Sequence, residues 1–161
     1  MTAQPWLDSV IDLLQQEIAL SSQIDAQLTL ERDALLNRDA QSVAQYSQQK
    51  NTLLIDLDSK HSTLLQTISD ATGQSPEALS SHQWLQTLTD DRKDQLSKLW
   101  HDLHDQLKSL KHKNLQNGVS LNRVISRSRF LLRLLKGENS PQTYDAKGME
   151  SSSRQGSLGK A

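Results

Sequence analysis

Five histidines and no cysteine set the chemical inventory of this 161-residue chain. His101 and His104 are three residues apart and Asp105 is four from His101, so a helix would carry all three toward one face, an arrangement able to bind zinc. No motif supplies a further ligand, and His and Asp on a polar helix are ordinarily solvated, so no metal site is expected. His61, His82 and His112 read as surface or boundary residues. Without cysteine there is no disulfide frame, no thiolate zinc site and no cysteine nucleophile.

Other reaction chemistries find no equipment. A phosphoryl-accepting histidine in a helical bundle needs Lys and Gly close behind it; His104 meets Lys108 without a glycine, and His112 meets Lys113 with glycine only at 118. No G-x-S-x-G element, Walker A loop, dinucleotide fingerprint or H-E-x-x-H pair occurs. The many Asp and Glu residues recur on polar faces, where they read as solvation, and no catalytic carboxylate pair stands out. The expectation is a non-enzyme with no catalytic residues and no cofactor.

A binding surface is the remaining functional feature. In 121–136, LNRVISRSRFLLRLLK, the residues Leu121, Val124, Ile125, Ser128, Leu131, Leu132 and Leu135 form one helical stripe. Phe130, Leu131, Leu132, Leu134 and Leu135 then make the end of the segment apolar nearly all round, which requires burial nearly all round. Either the whole segment packs in the core of a bundle, or one side awaits a partner and takes a helix in a groove.

These residues must be positioned by helices. Leu accounts for 28 residues, Val and Ile together for 10, aromatics for 4%, Gly for 6 and Pro for 3, a composition that argues against sheet. The spacing predicts an all-α fold: an antiparallel hairpin of helices over about 5–37 and 39–72, a short helical connector over 76–88, and a long C-terminal helix over 90–136, giving an elongated, coiled-coil-like bundle. Pro5, Asp39 and Ser75–Pro76–Glu77 are start signals, Thr72–Gly73 and Gly137 stop signals. Residues 1–137 would form one domain and 138–161, Ser- and Gly-rich from 149 on, a disordered tail. Polar Ser21 and Glu31–Arg32 interrupt the first stripe, and Asn117–Gly118 is the place where the last helix is expected to kink or fray.

The formal net charge of -1 conceals strong asymmetry. Residues 1–105 hold 16 acidic and 7 basic residues, whereas 106–137 hold 8 basic residues and no acid. The basic half invites pairing with the acidic hairpin or framing of the apolar site. Nucleic acid is disfavoured because Phe130 is the only aromatic between Trp100 and Tyr144, leaving no stacking platform. The N-terminus lacks a basic signal region and no stretch approaches a membrane span, so the expected location is cytoplasmic, without membrane insertion.

The hairpin, the long last helix with Asn117–Gly118, the ending Leu134-Leu135-Lys136-Gly137 and the element Tyr144-Asp145-Ala146-Lys147-Gly148 together resemble the FlgN-type flagellar export chaperones over roughly residues 6–148. The resemblance implies a cytoplasmic type III secretion chaperone that holds the C-terminal helical region of the hook–filament junction (hook-associated) proteins and prevents their premature assembly. It implies that 121–135 binds this client and that Tyr144 docks on the export gate. Alternatives are a structural coiled-coil or scaffolding protein, with self-association through the hairpin stripes, and a nucleic-acid-binding helical protein.

Overall fold

Local signals place the helix ends. In the computed structural model, which describes residues 4–135 and gives the backbone alone for 80, 124, 125, 127, 128 and 130–135, α1 spans Pro5–Leu36 with the proline in its first turn. Its end is a Schellman turn made without glycine: Arg38 takes a left-handed φ of 56°, its N–H reaches the Leu35 carbonyl, and the Asp39 N–H reaches that of Ala34. Asp39 then caps α2, Ala40–Thr72, by accepting from the Ser42 N–H and hydroxyl. Those bonds favour the charged carboxylate and hold the Asp39 pKa below its ordinary value. Gly73, at φ 71°, closes α2.

A 3-10 turn over Pro76–Ser80 and the one-turn α3, Gln83–Gln86, form the connector. The long α4 spans Lys93–Leu135. Among the described residues there is no strand. Chain compactness divides between Arg123 and Val124. Of the second unit, residues 124–135 are described and are helical.

Side-chain pairs give the directions within the first unit. Glu31 meets Ser47 and Lys50 while Glu17 meets His61, so α1 and α2 are antiparallel. Asp8 meets Arg92, Asp25 meets Lys113 and Glu31 meets Asn117, so α4 returns parallel to α1. Most buried positions of α1 (Leu7, Val10, Leu14, Glu17, Ser21, Ile24, Leu28, Glu31 and Leu35) alternate steps of three and four, a heptad seam of the coiled-coil kind, with buried Leu20 and Ala34 beside it.

Three apolar clusters lie along this seam. The first joins Leu7, Val10 and Leu14 to Leu64, Ile68, the connector residues Leu79, Trp84, Leu85 and Leu88, and Leu96, Trp100 and Leu103 of α4. Trp84 meets Trp100 edge to face, with centroids 5.3 Å apart and planes at 80°. The second holds Leu20, Ile24, Leu28, Leu57 and Leu110, and the third Ala34, Leu35 and Val43 at the hairpin tip. No helix of the described residues is long and apolar enough to cross a membrane.

Candidate functional site: the last helix and its attachment

The stretch of α4 that leads into the candidate binding segment is attached to the hairpin by polar bonds as well as by Leu110 and Leu121. Below it, Arg92 ties the start of α4 to α1: its guanidinium bonds Asp90 and Asp8, and the Gln4 carbonyl lies within reach. Lys113 Nζ lies 2.5 Å from Asp25 Oδ1. One turn on, Asn117 is 3% exposed and donates through Nδ2 to the Leu28 carbonyl at 2.9 Å and to Glu31 Oε1 at 3.0 Å.

Glu31 is the hub of that attachment. It is 3% exposed and accepts from Ser47 at 2.6 Å, from Lys50 on both oxygens and from Asn117. Burial raises its pKa, but the hydrogen bonds from Ser47, Lys50 and Asn117 and the Lys50 charge together outweigh burial and leave it below the ordinary glutamate value. Lys50 also donates to Asn114, so one lysine links all three long helices. A buried pair satisfied to this degree fixes which residues face one another, whatever its net stability.

Two expectations are corrected here. Asn117–Gly118 is not a frayed turn: helix continues through both residues, with Asn117 buried in the α1–α4 contact. The carboxylates are not all solvated, because Glu17 and Glu31 are buried on the seam of α1. His61, read as an ordinary boundary residue, donates from Nδ1 to Glu17 Oε2 at 2.9 Å. The hydrogen bond to Glu17 raises the His61 pKa above its usual value despite the opposing effect of burial.

His101 and His104 turn their Nδ1 atoms to the carbonyls of Ser97 and Trp100 in their own helix. Their rings lie tilted against His82 and Trp100 respectively. Between α1 and α4 lies a groove of about 280 Å³ lined by Ser21, Ser22, Asp25, Gln106, Ser109, Leu110 and Lys113, too polar to seat an apolar helix.

Of the candidate client-binding residues, Leu121 is half-buried and packs on the Ala34, Leu35 and Val43 cluster at the hairpin tip. Val124, Ile125, Ser128, Phe130, Leu131, Leu132, Leu134 and Leu135 lie on the helical backbone of α4, and their side chains are outside the description. Tyr144 lies outside the described residues.

The family model for FlgN protein matches residues 1–152. The chain belongs to the FlgN family of flagellar export chaperones. The comparisons with curated proteins and with solved structures returned no match. The FlgN match takes in the hairpin, the connector, all of α4 and the element containing Tyr144. Membership brings with it chaperoning in type III export during flagellum biogenesis, and hook-associated proteins as the kind of partner.

Two residues of this FlgN-family chain escaped the sequence reading as surface features. Leu115 and Val119 are 65% and 43% exposed, opposite the buried Asn117 side of α4. The signal was present: both interrupt a polar face of α4 that from residue 106 onward carries lysines and no acid.

Proposed function

We propose that this protein is a cytoplasmic chaperone that holds the C-terminal helical region of hook–filament junction proteins and hands them to the flagellar export gate. The FlgN match over 1–152 carries this reading. In it, the stripe Leu121, Val124, Ile125, Ser128, Leu131, Leu132 and Leu135, with Phe130 and Leu134, receives the client, and Tyr144 docks on the gate. A client that polymerises through an apolar helical face is kept from doing so when that face is covered, so the task needs binding and no chemical step.

Co-purification with C-terminal segments of the junction proteins, followed by mass measurement, tests the reading. A stable heterocomplex is the expected result. Leu131→Ser with Leu135→Ser weakens client binding while helix content by circular dichroism stays; global unfolding of that variant assigns both leucines to the core instead. Tyr144→Ala spares client binding and impairs export, and loss of client binding refutes that division of labour.

A further inference from the structure

The outward face of α4 carries more than solvating charge. Leu115 and Val119 stand one turn apart on it, 65% and 43% exposed, while Leu110, Asn117 and Leu121 of the same helix are turned toward the hairpin. These two apolar side chains are therefore not an overflow of the core. Gly118 lies between them, and a Cβ built there would meet nothing within 4 Å, so an approaching backbone finds an open floor. Around them Lys108, Lys111, His112 and Arg123 are all exposed, and no acid occurs from 106 to 137.

The electrostatics of this strip differ from those of its neighbours. Lys113, on the flank of α4 toward α1, is paired with Asp25. Lys108 and Lys111 have no carboxylate partner among the described residues. A short apolar pair rimmed by unpaired cations complements a helix whose apolar seam is flanked by carboxylates. Nucleic acid fits less well, since the described part of this face has no Phe, Tyr or Trp on which a base could stack. A lipid surface fits less well too, because two apolar residues are a small part of the continuous face with which an interfacial helix lies in a bilayer.

We propose that the strip Lys108, Lys111, Leu115 and Val119 is a second docking surface, and that its occupant is an acid-flanked amphipathic helix of the client protein. The proposal rests on the chaperone reading above and adds to it a place in the first unit and a charge rule for the partner.

The test uses the full chain and the C-terminal helical segment of a hook–filament junction protein, titrated by calorimetry at two salt concentrations. Two double variants are compared with wild type: Leu115→Gln with Val119→Gln, and Lys108→Glu with Lys111→Glu. All four positions are exposed, so circular dichroism and the urea midpoint stay at wild-type values. Each variant binds the segment about tenfold more weakly, the scale of uncovering two partly buried apolar side chains or reversing two rim charges. Wild-type affinity falls with added salt, and the Lys108→Glu, Lys111→Glu variant loses that dependence. If both variants bind as wild type does while Leu131→Ser with Leu135→Ser does not, the strip is no docking surface and the chaperone reading stands. If wild type binds no such segment, the chaperone reading fails and the assignment of the strip to a client falls with it. Wild-type binding to vesicles with anionic phosphatidylglycerol, or to a short DNA duplex, that disappears in the same variants gives the strip to a different partner and overturns the proposal.

Discussion

Asn117→Ala tests whether α4 is fastened to the hairpin by polar bonds. The side chain is 3% exposed and gives one hydrogen bond to a buried carboxylate and one to the Leu28 carbonyl. A bond to a charged group is worth about 1.5–3 kcal/mol and a neutral one about 1 kcal/mol. The Leu28 carbonyl lies within α1 and keeps its helical partner, so the second loss is the smaller. Alanine returns about 0.5 kcal/mol in helix propensity. The expected net loss is about 2–3 kcal/mol. With a urea dependence of about 2 kcal/mol per molar, the unfolding midpoint falls by about 1–1.5 M. Gln116→Ala, one residue away and exposed, is the control and leaves the midpoint unchanged or slightly raised. Combining Asn117→Ala with Glu31→Gln should give less than the sum of the single losses, because the charged acceptor is shared. A loss below about 0.5 kcal/mol for Asn117→Ala, indistinguishable from the control, refutes the attachment argument.

Two further outcomes follow from the core. His61 has a raised pKa in the folded chain because it bonds Glu17, so its contribution is fully present below the unfolded histidine value of about 6.5 and is lost as pH rises through the raised folded value. The stability gap between wild type and His61→Gln, measured by urea unfolding across that window, therefore narrows with rising pH; a gap that widens contradicts the Glu17–His61 pairing. Trp100→Ala opens a cavity where α4, α3 and α1 meet and should cost about 3–5 kcal/mol, with loss of the near-ultraviolet signal of the Trp84–Trp100 pair. A change under about 1 kcal/mol would mean that the connector is not docked on α4 as described.

The fold was legible because its signals are local. Pro5 and Pro76 through their fixed φ, Asp39 through its cap bonds and Gly73 through its left-handed φ mark helix ends within a few residues, and the three-and-four stepping of leucines needs only one turn of helix to be seen. What stayed hidden depends on partners far along the chain. Glu31 looks like a break in the apolar stripe until Lys50, 19 residues away, and Asn117, 86 away, are placed against it. Glu17 looks solvated until His61, 44 residues on, supplies the bond. One clue was available, since Glu17, Ser21 and Glu31 stay in phase with the heptad, and a polar residue in phase with a core stripe is a candidate for burial with a partner. The stripe of 121–135 could be read from helical spacing, but its client and the role of Tyr144 came from a family resemblance, and the exposure of Leu115 and Val119 shows only once Asn117 is placed against α1.

Those in-phase polar residues answer a problem that a leucine-rich helical chain sets itself. With 28 leucines on repeating stripes, sliding one helix by a heptad exchanges leucine for leucine and changes apolar burial little, although it moves the helix by about 10 Å. The same slide would leave Glu17 facing no histidine and would strip Glu31 of Lys50 and Asn117, abandoning buried charge without a partner, a cost of about 3–5 kcal/mol for a broken pair. The apolar clusters therefore supply most of the cohesion, and the two polar layers select one register among several of similar cohesion. That selection matters for a chaperone of this design. The contact of Asn117 with Glu31 fixes where along the hairpin the outward face of α4, with Leu115 and Val119, is presented.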